Sequence, residues 1–441
     1  MPDTILSSEL ATSVDAPETS DAPETSDAPV LPSDIQDVRL PCPYSQATRL
    51  QQALSSDKMR VGFFLGAGCP VSIRVPDDDG TRPLIPNIEG LTDAIRKKIQ
   101  DLKEHKEHFA TILKHLEDSN ANKRTIEDIL TQVRRLIDVV GTTPYDGMSK
   151  DDLTKLDKTL CAEISRVMDA RLPDRKTPYH DLASWIGSIP RTYGVEVFTS
   201  NYDLLMEQAL EECCVPYFDG FSGSDRTFFD NPSMEQDTLP SRWARLWKLH
   251  GSVNWWRTPD GEFQRKTGPT EGDSQMIHPS HLKYEQSRMM PYLAMQDRLR
   301  AFLSRGQAVL ITCGYSFADL HLNQAILQGL GGNPKAVCFG LVFGDRATAT
   351  SAIAKVGFRG NLRLLGIDGG VIGTIDRDWH SKVNADHELH GWAVCNGNFG
   401  DRSKAPDERC KFLLGNFKTL GEFLADQLAR RGEHEEDKDV N

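Results

Sequence analysis

The sequence has no stretch approaching the roughly twenty apolar residues that a membrane span requires, and no basic segment leading into an apolar run at its start. Neither a membrane anchor nor a secretory leader is therefore expected. Its nine cysteines include no Cys-x-x-Cys pair, which argues against a zinc ribbon and a disulfide scaffold alike. Cys213 and Cys214 are adjacent and read as two buried thiols, and a cytoplasmic location follows. Positive charge is missing from one end: residues 1–38 carry nine acidic groups and no Lys or Arg. The last eleven residues carry a net −3, so of the formal charge of −13 only −1 falls on residues 39–430. No strongly basic groove is visible at this level, and direct nucleic-acid binding is not expected.

What is present divides the chain into three. Asp15-Ala-Pro-Glu-Thr-Ser20 is repeated at 21–26 and begun again at Asp27-Ala28-Pro29. So few apolar groups cannot offset the entropy of ordering the backbone, so 1–38 reads as a disordered acidic leader rich in Pro, Ser and Thr. Residues 39–430 read as one large domain, and 431–441 as an acidic tail.

Within the body, Met59–Leu65 is a short apolar run that stops at Gly66-Ala67-Gly68, a buried strand entering a glycine turn. Apolar residues then recur at helical spacing: Leu91, Ile95, Ile99, Leu102; Ile126, Ile129, Leu130, Val133, Leu136, Ile137; and Leu153, Leu156, Leu160, Ile164, Met168. Further strand-like runs appear at 195–198, 308–312, 336–343 and 362–365, alternating with helical stretches near 203–212, 319–330, 346–356 and 417–430. This pattern predicts an α/β fold, a Rossmann-like doubly wound parallel sheet, with a helical insertion over about 89–190 between the first two sheet strands.

Four short motifs fall at the carboxyl ends of these strands, where open α/β sheets place their ligands. Gly66-Ala67-Gly68, with Ser72 beyond, suits a close backbone approach to phosphate or, equally, a tight structural turn. Thr199-Ser200-Asn201-Tyr202-Asp203 offers polar groups that also serve as helix caps. Lys248-Leu249-His250-Gly251-Ser252 carries a histidine able to act as a base near neutral pH, or merely to hydrogen-bond. Gly314-Tyr315-Ser316-Phe317-Ala318-Asp319 suits a sugar or phosphate, with Asp319 equally able to cap the next helix. Trp243, Trp247, Trp255 and Trp256 flank His250 and read as core or pocket wall.

In this order the four motifs resemble the NAD site of the sirtuin family, specifically its bacterial sirtuin-like branch found in antiphage defence, over about residues 59–375. The resemblance implies that Gly66, Ala67 and Gly68 pack against the pyrophosphate and adenosine side of NAD, and that Gly314 and Ser316 contact the adenosine portion. It implies that Asn201 and Asp203 hold the nicotinamide ribose and a water, with His250 as the base at that ribose. Ser72, Thr199, Tyr202, Tyr315 and Asp319 complete the implied cofactor-binding set. Sirtuin deacylases carry four zinc cysteines between the histidine and the next glycine motif, whereas Gly251–Thr312 holds no cysteine, so no metal is expected. Ile85-Pro86 runs on to Asn87 without the deacylase arginine.

The activity implied is hydrolysis of NAD to nicotinamide and ADP-ribose, as the effector of a defence that depletes NAD. The alternatives are a sirtuin-like ADP-ribosyltransferase or deacylase, and a non-catalytic sensor of NAD or ADP-ribose. Homo-oligomerisation through the helical insertion is expected, with regulation by a separate partner, a HerA-type ATPase being the first candidate by family analogy. Since nearly all the net charge lies outside the body, deleting residues 1–38 is expected to leave NAD cleavage unchanged, as read by nicotinamide release from the purified truncated and full chains.

Overall fold

The structure, a computed structural model, describes residues 41–78, 80–118, 125–188, 190–236, 238–268, 274–277, 290–380, 389, 391–394 and 410–439. The leader expected at 1–38 lies outside the described residues. One large sheet organises the rest. Its strands are β1 (Arg60–Leu65), β2 (Glu196–Thr199), β3 (Tyr217–Phe218), β4 (Ala244–Lys248), β5 (Ala308–Cys313), β6 (Ala336–Leu341), β7 (Leu362–Leu365), β8 (Gly369–Ile372) and β9 (Ile375–Asp378). They lie in the order β9-β8-β7-β6-β5-β1-β2-β4-β3. All neighbours are parallel except the β7–β8 and β8–β9 pairs, which close one edge as an antiparallel meander.

The chain runs outward from β1 through β2 to the β3–β4 edge, then returns to build β5, β6 and β7 on the other side of β1. Strand order therefore reverses between β1 and β5. Register aligns the carboxyl ends there: Leu65 pairs with Cys313 on one side and with Thr199 on the other. A switch point of this kind opens a crevice above the strand ends, because the connections leave in opposite directions.

Alternation along β1 sends its side chains to two separate cores, as period-two geometry requires. Phe63 joins the cluster built with α1 (Pro43–Ser55), α2 (Ile88–Asp101), α3 (Lys106–Asp118), α4 (Ile126–Val139), α5 (Lys150–Met168), α6 (Pro178–Ser188), α7 (Leu205–Glu212) and the first turns of α11 (Phe417–Asp439). Phe64 joins the other, with α8 (Tyr292–Ser304), α9 (Leu320–Gly332) and α10 (Ala347–Ala354). Both faces are thus covered, which is why the central strands read as continuous apolar runs.

The helices between β1 and β2 follow their sequence signals closely. Ile126, Ile129, Leu130 and Val133 of α4, and Leu153, Leu156, Leu160 and Ile164 of α5, are all 0% exposed. Thr125 and Asp128 form a reciprocal capping box at the start of α4, and Ser149 and Asp152 form another at α5, each satisfying two otherwise orphaned backbone donors. The four helices α2–α5 pack mainly on one another and on the Phe63 side.

Some elements have weaker sequence signals than these. α1, α8, β3, β4, β8 and β9 lie outside the helices and strands the sequence pattern predicts, and α11 continues to Asp439 through part of the stretch expected as a tail. Cys213 is half-buried and Cys214 exposed at φ 56°, correcting the reading of two buried thiols: they leave the end of α7, where the chain turns toward β3. Cys410 is disulfide-bonded, so one cross-link exists where none was expected. Trp247, Trp255 and Trp256 belong to the core, and Trp243 is half-buried. Among the described residues no helix is long and apolar enough to cross a membrane.

The sheet also buries charge. Glu196, at the start of β2, accepts from Trp247 Nε1 at 2.7 Å and from Arg298 Nη2 at 3.3 Å, and the two charged side chains are 4% and 7% exposed. Removing one partner of a buried pair costs about 3–5 kcal/mol, whereas replacing both is far cheaper. Arg298→Met is therefore expected to lose about 3 kcal/mol in urea denaturation, and Glu196→Gln/Arg298→Met clearly less.

Candidate active site

The crevice begins with two glycines in backbone contact. Gly66 N–H donates to Cys313 O at 2.9 Å, and Gly68 N–H to Gly314 O at 2.8 Å. A Cβ on Gly66 would lie 2.3 Å from Gly314 O, and one on Gly314 would lie 2.5 Å from Cys69 N. Gly314 also sits at φ 64°, which side chains with a Cβ rarely adopt. Only glycines allow this crossing, and it leaves Ala67, Gly68 and Ser316 exposed at the crevice floor. Ser72 Oγ donates to Cys69 O at 2.7 Å and so closes the single helical turn Gly68–Val71.

Cys69 and Cys313 lie beneath this junction, both fully buried. Cys69 Sγ donates to Cys313 O at 3.2 Å, and burial together with the Cys313 side chain pushes its thiol well up. Cys69 is thereby unsuited to nucleophilic work, because the thiolate is the reactive form. Both cysteines are packing for the glycine crossing.

The second motif fastens directly onto the first. Thr199 Oγ1 donates to Leu65 O at 2.9 Å and accepts from Asn201 N–H at 3.0 Å. Asn201 Nδ2 then donates to Gly66 O at 3.1 Å, so its carboxamide is anchored at the glycine turn. Asn201 is 8% exposed and Asp203 5%. Asp203 Oδ1 accepts from Leu205 N–H at 3.1 Å, turning the chain into α7. Burial raises its carboxyl above the ordinary range, and Lys248 opposes that rise. Tyr202 is half-buried; burial holds its phenol well above the usual value, with Glu127, Tyr292 and Asp319 adding to this and Arg134 opposing it. Glu127 and Arg134 come from α4.

The third and fourth motifs meet where His250 faces Asp319. His250 Nε2 lies 3.2 Å from Asp319 Oδ2, with the two side chains 11% and 14% exposed. The other oxygen of Asp319 accepts from His321 N–H at 2.9 Å and Leu322 N–H at 3.2 Å, capping α9. One carboxylate therefore serves as helix cap and as partner of the histidine. Tyr315 turns inward instead: its ring stacks on Phe64 at 4.5 Å and its hydroxyl donates to Asn323 Oδ1 at 2.8 Å. Asn323 in turn donates to Phe317 O at 2.7 Å, holding a residue at φ 57°.

The four motifs thus form one connected set along the ends of β1, β2, β4 and β5. Two participants carry no role in the sequence reading: Lys248, which opens the third motif, and Glu207, which lies outside all four. Lys248 is 1% exposed and its Nζ lies 2.9 Å from Glu207 Oε1. Glu207 stands one helical turn after Asp203, a spacing that the sequence does display. Among the described residues no group of three or more His, Cys, Asp or Glu is placed to hold a metal.

Residues 195–346 match the family of the SIR2-like domain, a span that takes in three of the four motifs and leaves out Gly66-Ala67-Gly68. No curated protein matches the sequence. Among solved structures, a Sir2 homologue in complex with NAD is similar at 13% identity, covering 70% of this chain and 91% of its own, with a TM-score of 0.35. A Sir2 enzyme solved for its mechanism and regulation is similar at 11% identity, covering 67% and 85%, with a TM-score of 0.33. A mutant Sir2 homologue bound to ADP-ribose is similar at 13% identity, covering 70% and 94%, with a TM-score of 0.30.

The glycine crossing makes a specific demand. Gly314→Ala must both strain the backbone and displace the Cys69 turn, at a cost of about 1–3 kcal/mol. It is expected to lower the melting temperature by several degrees, while Gly332→Ala, whose Cβ would meet nothing within 4 Å, leaves it unchanged or slightly higher.

Proposed function

We propose that this chain hydrolyses NAD to nicotinamide and ADP-ribose. The observation that carries the reading is the convergence of Asn201 and the His250–Asp319 pair on a crevice floored by backbone that only glycines permit. A dinucleotide pyrophosphate needs close backbone approach more than basic side chains, and a turn of Gly66, Ala67 and Gly68 that carries almost no side chain permits it. The SIR2-like match over residues 195–346 supports the same ligand class.

The bond to be broken joins the cationic pyridinium nitrogen of nicotinamide to the anomeric carbon of the ribose. Its electron pair leaves with the nitrogen, so nicotinamide departs neutral and positive charge develops on the ribose as an oxocarbenium-like centre. The attacking water then forms the new C–O bond and gives up one proton. Positioning that water and accepting that proton are the tasks left to the protein. Asn201 is suited to the first, because a carboxamide orients water without becoming charged. His250 is suited to the second: with Asp319 accepting from Nε2–H, Nδ1 is the basic nitrogen, and the carboxylate stabilises the imidazolium once formed. General-base assistance of this kind contributes about 10²–10⁴-fold.

Depletion of NAD as the effector step of antiphage defence, in a chain that self-associates through its helical insertion and is regulated by a separate partner, completes the proposal. That part rests on the resemblance of the four motifs to the defence branch of the sirtuins. Asn201→Ala and His250→Ala are each expected to cut nicotinamide release from pure protein and NAD at least about 100-fold while the melting temperature stays within a few degrees. Retained activity in both variants would refute the assignment. Nicotinamide release that depends on an added peptide acceptor, with little turnover on NAD alone, would identify a transferase or deacylase instead.

A further inference from the structure

A lysine in the interior needs an explanation that its charge alone does not provide. Lys248 ends β4, two residues before His250, and is 1% exposed. Its ammonium has three N–H donors and three acceptors around it: Glu207 Oε1 at 2.9 Å, Tyr202 O at 3.4 Å and Asp203 O in close contact. Two of these are consecutive backbone carbonyls of the loop that carries Asn201. The third belongs to α7, which that loop enters. Glu207 is itself buried among the same groups, 8% exposed.

The Tyr202 carbonyl ties the loop a second time. It accepts from Val253 N–H at 3.0 Å and from Ser252 Oγ at 3.4 Å, both just beyond His250. Leu249 N–H, immediately before His250, donates to Thr199 O at 2.8 Å. The Asn201 loop and the His250 turn are therefore stitched together from both sides of the histidine, and Lys248 provides the charged stitch. A buried ion pair gives little net stability compared with apolar residues of the same volume. What it does provide is directionality: three donors fixed on three acceptors define where the loop sits.

We propose that Lys248, held by Glu207, is a positioning residue that sets the placement of Asn201 relative to His250. The inference rests on the reaction assigned to this site above. Lys248 has no route to substrate from its position, so its effect must pass through the carbonyls of Tyr202 and Asp203. Placement errors of about 1 Å cost on the order of 10²-fold in rate, and they act on the chemical step more than on a ligand held by the glycine floor.

Three purified variants, Lys248→Met, Glu207→Gln and Lys248→Met/Glu207→Leu, test this against the full-length wild type. For each, the melting temperature, the Kd for NAD by tryptophan fluorescence, and kcat and KM for nicotinamide release are measured. Lys248→Met leaves Glu207 buried without its ammonium and is expected to melt well below wild type. The double variant removes both charges and is expected to recover most of that melting temperature and to bind NAD within about threefold of wild type, yet to keep a kcat at least about 30-fold lower. Glu207→Gln retains an oxygen acceptor for Nζ and is expected to hold kcat within about fivefold, and this arm decides the matter if the double variant does not fold. A double variant that recovers kcat together with its melting temperature would overturn the inference, since the pair would then be merely structural. So would a Glu207→Gln variant as slow as Lys248→Met. A wild-type chain that releases no nicotinamide would overturn the assigned reaction and this inference with it, whereas an active wild type with an equally active double variant overturns the inference alone.

Discussion

Everything in the site depends on one close approach, the crossing of Gly66 and Gly314 at the point where the sheet reverses its strand order. Two backbone segments can lie that near only when neither carries a Cβ, and here the gap is small enough that either methyl group would collide with main-chain atoms. The crossing fixes the ends of β1 and β5 against each other through Gly66 N–H to Cys313 O and Gly68 N–H to Gly314 O. From that fixed pair the other motifs are hung in sequence. Thr199 reaches back to Leu65 O and Asn201 to Gly66 O, so the end of β2 is referenced to β1. Leu249 N–H reaches back to Thr199 O, so the end of β4 is referenced to β2. His250 closes the circuit by pairing with Asp319, which follows β5.

Such a closed circuit explains why so few side chains in the crevice are spare. Most polar groups are already committed to holding another motif in place: Tyr315 to Asn323, Ser72 to Cys69 O, one oxygen of Asp319 to the start of α9. A surface built this way binds through backbone and through a small number of oriented atoms. The exposed atoms at its floor belong to Ala67, Gly68 and Ser316.

Much of this was legible in the sequence, and the reasons for the misses are physical. β1, β2, β5, β6 and β7 were readable because strands buried on both faces become apolar runs, and α4 and α5 because their caps and apolar spacing agree. β4 was not, since Ala244-Arg-Leu-Trp-Lys248 carries two cations that read as solvent-facing. Both are in fact buried, Arg245 against the carbonyls of Leu239, Pro240 and Trp243, and Lys248 against Glu207. α1 was missed because its buried face, Tyr44, Ala47, Leu50 and Leu54, is narrow and interspersed with glutamines. Three of the site motifs could be found beside readable strand ends, and the His250 motif, which follows β4, only by its histidine beside a Gly-Ser turn. What joins them could not: the His250–Asp319 pair spans 69 residues, and nothing local in either motif points to the other. Conversely Tyr315, which looked like a ligand contact, is a core residue whose hydroxyl needs an internal partner.

The charge distribution gains a meaning at the scale of the crevice that it lacks at the scale of the chain. A body with almost no net charge still concentrates carboxyl groups around this set of strand ends: Asp203 and Glu207 share the single ammonium of Lys248, and Asp319 faces His250. For a reaction that turned on a developing anion this would be the wrong sign. For cleavage of the bond between nicotinamide and ribose it is the right one, because the charge that develops on the ribose is positive and the leaving group sheds its own. Burial raises the Asp203 and Glu207 carboxyls above their ordinary range, and the same lysine that places the loop opposes that rise and so favours their charged form. The phosphates of a dinucleotide, which carry the opposite charge, would then be expected to lie toward the glycine floor and away from those acids. On the reaction proposed above, the two ends of the substrate would be told apart by two kinds of surface, bare backbone at the glycine crossing and buried carboxyl groups beyond the Asn201 loop.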